Sequence, residues 1–227
     1  MPSDSNGREA LAARYPGVQF GHNVQVIGLD SLTIGEGTTV AEDVWFNDCV
    51  RDGAIRIVIG RHCYVGRRSL FSSAGLLELG DHCLLGSGVY LGDVDHAFAD
   101  IYRPYAEQGV TRDNRLIVEE NCWLGLGSMI KGNLTVGRGS VVGAGAVVLK
   151  DVPPFSLVVG LPARVIKMYN PETAAWERVA MPEDEARVLA ARERNPFPSR
   201  EEYVEILRRN SALQPYHPVL TGDGRCL

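Results

Sequence analysis

Histidine is the side chain best suited to proton transfer near neutral pH, because its unperturbed pKa is about 6.5, and this chain of 227 residues has five of them. His96 stands apart, because it lies in a long stretch without periodicity, 92–115, together with Asp93, Asp95 and Asp100. A neighbouring carboxylate can fix the tautomer of an imidazole, and the sequence does not choose among the three. His96 is therefore the candidate general base.

A second set of candidate residues lies near the end of the patterned region. Lys150, Arg164 and Lys167 place three cations close together in a chain of net charge −5. Such a cluster can hold a polyanion through charge-assisted hydrogen bonds. Trp123 either lines a ligand or covers a flat sheet, and Ala144, between two glycines, either lets a ligand approach the backbone or forms an ordinary corner.

A six-residue repeat must position these side chains. Large apolar residues recur at every sixth place from Val118 to Val148, a period that fits neither a helix nor a single strand. The period suits short strands joined by tight corners, so that three hexads make one triangular coil of about 18 residues and stacked coils form three parallel walls. The same frame extends backwards through Phe20, Val26, Ile34, Val40, Phe46, Ile59, Val65, Phe71, Leu79, Leu85 and Leu91.

Wherever the frame is interrupted, the extra residues follow the third hexad of a coil. The spacing lengthens to 8 residues after Val26, 13 after Phe46, 8 after Phe71 and 27 after Leu91. All insertions should therefore leave the prism at one corner, with 92–115 as a long loop, and loops of this length are usually functional or disordered. Within the repeat, His62 and His82 occupy equivalent corner positions, which makes them weaker catalytic candidates than His96.

Cys63, Cys83 and Cys122 each follow the first apolar residue of their coil by four positions, and Thr38 and Ser140 hold the equivalent places. This spacing predicts a column of small buried side chains, about 4.8 Å apart. Free cysteine behaves as a small hydrophobe, so packing is favoured over a metal or redox site. No metal is expected.

Composition narrows the class of protein. A net charge of −5 makes nucleic acid and anionic membrane surfaces unsuitable partners. No apolar run approaches the ~18 residues of a membrane span, and the polar N-terminal stretch lacks the apolar core of a signal peptide. We therefore expect a cytoplasmic protein.

The pattern predicts three regions: a cap segment, 1–17, a coil domain, 18–167, and a helical extension, 168–227. A short helix is expected over about 4–15. In the extension, acidic residues before Arg194 indicate a helix from about Glu183, and Ser199 with Glu202 forms a capping box for a second helix. These helices should shield the open edge of the last coil. The run 160–164 is expected to lead the chain out of the prism.

The run from Asn121 to Lys167, above all VGAGAVV, KDVPP and VGLPARVIK, resembles the C-terminal half of the bacterial hexapeptide-repeat acyltransferases. It is most similar to the sugar O-acetyltransferases of the maltose, galactoside and surface-polysaccharide type. The resemblance covers about 18–167. It implies an all-β fold, a left-handed parallel β-helix with an inserted loop and C-terminal helices, assembled as a homotrimer. It also implies transfer of an acyl group from acetyl-CoA to a hydroxyl of a sugar or polysaccharide precursor.

The resemblance assigns the second set of residues to coenzyme A, which in this family lies in a groove between neighbouring subunits. Trp123 is similar to the tryptophan that lines the pantetheine arm. Ala144 matches a position whose backbone binds the pantetheine amides. Lys150, Arg164 and Lys167 match cations that face the phosphates.

In the loop, members of the polysaccharide type often show D-H-x-H-x-x-x-D. Here His96 matches the second histidine and Val94 replaces the first, so His96 is favoured as the base that takes the hydroxyl proton. Two other departures from the family pattern concern the binding of coenzyme A. Leu126 stands where the family often has Ser, Ala or Gly, and Leu149 where it often has Thr, so polar contacts made there would be missing.

Three other functions stay open from the sequence. N-acylation of an amino sugar would use the same groove and a different acceptor pocket. A zinc lyase on the same fold would need three histidines converging across a subunit interface, and no H-x4-H spacing occurs. A non-catalytic scaffold would fit the loss of the first loop histidine. The acceptor is beyond prediction, although Tyr102, Arg103 and Tyr105 are suited to contact it.

Overall fold

The structure is a computed structural model that describes residues 4–211, with side chains from residue 7 onward. Over this range, twenty strands form three sheets, here called walls A, B and C, and three α-helices flank them. The helices are α1 (Asp4–Arg14), α2 (Pro182–Arg194) and α3 (Arg200–Asn210).

Each wall is a stack of short strands. In spatial order, wall A comprises β1 (Gln19–Phe20), β4 (Thr39–Val40), β7 (Tyr64–Val65), β10 (Leu84–Leu85), β13 (Trp123–Leu124), β16 (Val141–Val142), β18 (Ser156–Gly160), β19 (Ala163–Asn170) and β20 (Ala175–Arg178). Wall B comprises β17 (Val147–Val148), β14 (Met129–Lys131), β11 (Tyr90–Gly92), β8 (Leu70–Ser73), β5 (Trp45–Asp48) and β2 (Gln25–Ile27). Wall C comprises β15 (Leu134–Val136), β12 (Arg115–Val118), β9 (Leu76–Leu79), β6 (Ile57–Ile59) and β3 (Leu32–Ile34).

Successive hexads lie in different walls, as the frame predicts. Val118, Leu124 and Ile130 belong to β12, β13 and β14, which are strands of walls C, A and B. Up to β18 the neighbouring strands pair in parallel. The sixth-residue side chains form one continuous buried core, in which Val26 and Ile34 near the N-terminal end are partly buried. The prediction of stacked three-walled coils is confirmed.

The corner between walls C and A requires a positive φ in every coil. It is occupied by Gly17, Gly37, His62, His82, Asn121, Gly139 and Phe155. Glycine takes this conformation without steric cost, and asparagine at little cost. His62 and His82 adopt it as well, with φ of 55° and 60°, and their rings stack with centroids 5.2 Å apart.

The column of small residues is buried next to this corner, as predicted. Its members also donate hydrogen bonds to carbonyl oxygens of the following coil, which the sequence did not indicate. The acceptors are Gly60 for Thr38 (2.8 Å), Gly80 for Cys63 (3.1 Å), Glu119 for Cys83 (3.2 Å), Gly137 for Cys122 (3.3 Å) and Pro153 for Ser140 (3.0 Å). The column therefore joins the coils as well as filling space.

The expectation that 160–164 leads the chain out of the prism is wrong. Gly160 pairs with Ala163, so Leu161 and Pro162 form a two-residue turn and β19 returns antiparallel to β18. β20 then pairs with β19, so an antiparallel hairpin extends wall A. Glycine and proline indicate a break in the repeat, but here they connect two strands of one sheet. A boundary after residue 167 would fall inside β19.

Helices α1 and α2 lie at opposite ends of the stack, on β1 and on β19. α3 instead lies beside the corner between walls C and A, where Arg200 pairs with Glu78 and Glu120 of two inner coils, so the expectation that it shields the open edge of the last coil is wrong. Leu11 of α1 is buried with the neighbouring Tyr15, whose hydroxyl donates to the carbonyl of Leu32 at 2.7 Å. α2 buries Val188 and Ala191, and it packs on β19. None of the helices in the described range is long and apolar enough to cross a membrane.

Candidate active site

Residues 93–114 connect β11 of wall B to β12 of wall C and carry His96. The root of this loop is fixed by Asp93, which is buried. Its carboxylate accepts hydrogen bonds from the Ser73 hydroxyl at 2.6 Å and from the backbone N–H groups of Ala74 and Gly75 at 2.8 and 3.2 Å. At the other end, the Asn114 side chain donates to the carbonyl of Asp93 at 2.6 Å. Both ends of the loop are thus tied to one buried residue.

His96 lies three residues beyond this root, in a short antiparallel ribbon. It forms a bridge with Val110, and the backbone N–H of Ala97 donates to Gly109 at 3.0 Å. Below His96, the N–H of Thr111 donates to the carbonyl of Asp95 at 2.9 Å. The backbone of His96 is therefore held on both sides, while its side chain is exposed to solvent.

None of the three candidate aspartates orients the imidazole within the described part of the chain. Asp93 holds the loop root. The Asp95 carboxylate lies 2.8 Å from the Lys131 ammonium, and the hydrogen bond from Lys131 is the main cause that lowers the pKa of Asp95. The Asp100 carboxylate accepts from the N–H of Tyr102 at 2.9 Å.

Lys131 is a residue that the sequence analysis missed. It lies on β14, directly above Gly92 of β11 in the register of wall B. The position of Lys131 could have been predicted, because the six-residue frame places residue 131 one coil above the start of the loop. What the frame cannot show is the path of the inserted ribbon, which brings Asp95 back to Lys131.

Trp123 and Ala144 lie on the outside of the coil. Trp123 projects from the outer face of wall A between Leu84 and Val141 and is 52% exposed. Ala144 is exposed at the corner between walls A and B. A Cβ atom added to the neighbouring Gly145 would meet nothing within 4 Å, so the space in front of this corner is open.

Lys150 and Arg164 are brought together by the turn of the β18–β19 hairpin. They line a groove of about 490 Å³ with Leu149, Asp151 and Glu185. Among the ion pairs found between described residues, none involves either cation. Two unpaired cations in an open groove can bind phosphate groups.

Lys167 does not line this groove. It lies exposed on β19, between Leu157 of β18 and Arg178 of β20 in the sheet register. The structure therefore groups two of the three sequence-predicted cations and leaves the third apart.

The described residues contain no group of three or more His, Cys, Asp or Glu side chains that could hold a metal ion. His62 and His82 stack as a pair at the corner between walls C and A. His217 and Cys226 lie outside the described residues.

Comparison with protein families gives a match on both sides of the loop. A family model described as the hexapeptide repeat of succinyl-transferase matches residues 56–93 and 115–150. These residues are the coils that carry Trp123, Ala144 and Lys150.

Several curated proteins are similar in sequence. The galactoside O-acetyltransferase of Escherichia coli K12 is 29% identical, over 61% of this chain and 64% of that protein. WbbJ of the same organism, provisionally named as a lipopolysaccharide biosynthesis O-acetyl transferase, is 27% identical over 71% of this chain and 76% of its own length. A Schizosaccharomyces pombe protein provisionally named as an acetyltransferase is 31% identical over 53% of this chain and 57% of that protein. The chain thus spans between 41% and 64% of the length of the first relatives that it matches.

Among solved structures, AntD, an N-acyltransferase from Bacillus cereus in complex with dTDP and coenzyme A, superposes with a TM-score of 0.58. The superposition covers 81% of this chain and 97% of AntD at 17% sequence identity, and shows a shared fold. The chain therefore carries the hexapeptide repeat on a coil fold and is similar in sequence to proteins named as acetyltransferases, O-acetyltransferases among them.

Proposed function

We propose that this protein is an acetyl-CoA-dependent O-acetyltransferase that acts on a hydroxyl of a sugar or polysaccharide precursor. The observation that carries the proposal is the solvent-facing imidazole of His96 on a backbone held by Val110 and by the root at Asp93. A base in a defined position, open to an incoming acceptor, is what acyl transfer to a hydroxyl needs. Relatives named as O-acetyltransferases of galactosides and lipopolysaccharide support this acceptor class.

The groove and the adjoining corner fit coenzyme A. Lys150 and Arg164 would hold its phosphates, and the backbone of Ala144 and the ring of Trp123 would hold its pantetheine arm. The open space at Gly145 supports this assignment. When bound, acetyl-CoA supplies an acyl group activated as a thioester. Lys167 lies outside the groove, so its predicted contact with the phosphates has the least support.

Two leucines make the proposed cofactor surface more apolar than is usual in the family. Leu126 is 64% exposed at the same corner as Ala144, and Leu149 is 54% exposed in the groove. Neither can form the polar contact that a Ser or Thr would provide. Coenzyme A recognition here would therefore depend more on Lys150 and Arg164.

His96 would act on the acceptor hydroxyl. A neutral hydroxyl attacks a carbonyl carbon slowly, because positive charge develops on the attacking oxygen as the new bond forms. A neutral imidazole nitrogen of His96 removes this proton, and a positioned base typically contributes about 10²–10⁴-fold in rate. The resulting imidazolium can then return the proton to the leaving group.

Substitution of the base tests the proposal. His96→Ala should lower kcat by about 10²–10⁴-fold, while the KM for acetyl-CoA stays nearly unchanged because His96 is not part of the cofactor surface. His82→Ala, at a corner of the prism between walls C and A, is the matched control and should lose far less activity. Near wild-type kcat in folded His96→Ala would contradict the assignment.

Acceptor screening tests the reaction type. Purified protein would be given acetyl-CoA and a panel of sugars and sugar nucleotides with free hydroxyl or amino groups, and the products would be identified by mass spectrometry. Ester formation is expected. Amide products alone would replace O-acylation by N-acylation, and no transfer to any acceptor would favour a scaffold. The left-handed sense of the coil and a homotrimeric assembly, which the resemblance implies, also belong to this proposal.

A further inference from the structure

We propose that Lys131 is a positioning residue that sets both the location and the electrostatic surroundings of His96, acting through Asp95. The inference rests on the proposed role of His96 as the base. Lys131 belongs to the wall, whereas Asp95 and His96 belong to the inserted ribbon. The pair between them therefore links the repeat scaffold to the loop that carries the base.

The contacts of Asp95 show how this link is made. Its carboxylate lies 2.8 Å from the ammonium of Lys131, with the two side chains 54% and 34% exposed. Its backbone N–H donates to the hydroxyl of Thr111 at 2.9 Å, and its carbonyl accepts from the N–H of the same residue. Asp95 is thus held by the wall through its side chain and by the returning strand of the ribbon through its backbone.

The Lys131–Asp95 pair is the main polar tie between the ribbon and a wall. Of the hydrogen bonds and ion pairs given for described residues, it alone joins 94–112 to a strand of the coil. The cation itself is well anchored, because Lys131 pairs with Gly92 in wall B and the N–H of Gly132 donates to the carbonyl of Gly92 at 2.9 Å. Loss of this tie should leave the ribbon fixed at its root alone.

The second proposed effect of Lys131 is on the charges that surround His96. Asp95 is flanked by His96 in sequence and by Lys131 in space, and Tyr90 on wall B lies half-buried beside Lys131, with Cys49 close to it. Asp93 is buried and fully engaged at the loop root. With Lys131 in place, His96 stands beside a neutralised carboxylate. Without it, the Asp95 carboxylate would stand as an unpaired negative charge beside His96.

Substitution of either partner of the pair tests this inference. Hydrogen exchange in the full-length protein should show the backbone N–H groups of Ala97 and Thr111, which bind Gly109 and Asp95 across the ribbon, losing about 2–5-fold in protection in Lys131→Ala, the size expected for an exposed charge pair. Asp95→Asn, which removes the other partner, should lower the same protection. Lys131→Arg keeps the pair and should match the wild type.

Kinetics give a second readout. In Lys131→Ala we expect kcat to fall about 3–10-fold, with the KM for acetyl-CoA within about twofold of wild type. Unchanged protection of the ribbon in both Lys131→Ala and Asp95→Asn would overturn the role of Lys131, whatever the activity. Protection that falls as expected while His96→Ala stays active would uphold the pair and refute His96 as the base.

Discussion

At the level of single residues, Asp93 lies three positions before the candidate base, yet its carboxylate binds the backbone at the loop root and not the imidazole of His96. It is buried and accepts hydrogen bonds from one hydroxyl and two backbone N–H groups. The two ends of the loop also meet at Gly75. A Cβ at this position would lie 2.0 Å from the carbonyl oxygen of Asn114. The close approach of the two loop ends therefore requires glycine at position 75 and an acceptor at 93.

The cations of the groove make a prediction at this scale. Lys150→Ala and Arg164→Ala should each raise the KM for acetyl-CoA while kcat changes less, because contacts with phosphates far from the reacting carbon act alike in the ground and transition states. The binding should also weaken with added salt, since both side chains are exposed. Initial-rate kinetics at two ionic strengths would measure both effects.

Lys167→Ala provides a matched control within the same hairpin. Lys167 is exposed on the same strand as Arg164 but does not line the groove, so its loss should change the KM less. Equal effects at all three positions would indicate that general charge attracts the cofactor. An unchanged KM in both Lys150→Ala and Arg164→Ala would exclude the groove as the phosphate site.

At the level of elements, α3 is attached to the coils through polar contacts. Arg200 pairs with Glu120 at 2.6 Å and with Glu78 at 3.2 Å. The Asn121 side chain donates to the Tyr203 hydroxyl at 2.7 Å. No side chain of α3 itself is fully buried. The helix therefore depends on charged and hydrogen-bonding groups whose state changes with pH.

The buried imidazole of His82 predicts how the docking of α3 changes with pH. Burial is the main cause that lowers its pKa, the charge of His62 and that of Arg208 on α3 lower it further, and Asp81 opposes them. Its Nε2 atom is buried without a hydrogen-bond partner among the described residues. The docked helix thus favours neutral His82. Its docking should be fully stable above the ordinary histidine pKa of about 6.5 and should weaken as the pH falls below it.

Hydrogen exchange would measure this effect. After correction for intrinsic exchange rates, protection of 200–210 should be lower at pH 5.5 than at pH 7.5, a range that leaves the carboxylates ionised. His82→Asn is the matched control, because asparagine takes the same positive φ at position 121 and does not titrate. An equal loss of protection in this variant would show that His82 is not the cause.

The sequence predicts some elements well and others poorly, for physical reasons. Val118, Leu124 and Ile130 identify three walls because each coil repeats the same buried position. The start of α3 is predicted as well, because its capping box involves residues three positions apart. The Ser199 hydroxyl accepts a hydrogen bond from the N–H of Glu202, and the Glu202 carboxylate accepts one from the N–H of Ser199.

The β18–β19 hairpin and the Lys131–Asp95 pair were not predicted. Gly160 and Pro162 break the six-residue pattern, which does not reveal that they join two strands of one sheet. The pair joins residues 36 positions apart in sequence through an insertion that follows no repeat. The role of each site residue likewise stays a prediction, because a single chain does not show what lies against it.

At the level of the whole molecule, walls A and B each carry an outward row of apolar side chains. On wall A, the outward row contains Tyr64, Leu84, Trp123, Val141 and Leu157 in register. On wall B, the corresponding row includes Trp45, Leu70, Tyr90, Met129 and Val147. Flat apolar surfaces of this kind are typical of protein interfaces.

These faces support the prediction of a homotrimer. Three prisms packed around a common axis would cover apolar wall surface on every chain and form three equivalent grooves between neighbours. Light scattering should then give three times the chain mass of 24.8 kDa at micromolar concentration.

Leu84→Arg would place a charge in the outward row of wall A, where Leu84 is 42% exposed. It should dissociate the assembly and abolish most activity, because the exposed His96 ribbon would lose the neighbouring surface that completes its site. Leu189→Arg is the matched control, since Leu189 is similarly exposed (40%) but belongs to α2 and not to the outward row of a wall. It should leave both mass and activity unchanged. A wild-type monomer with full activity, or an active Leu84→Arg monomer, would show that one chain contains the whole site.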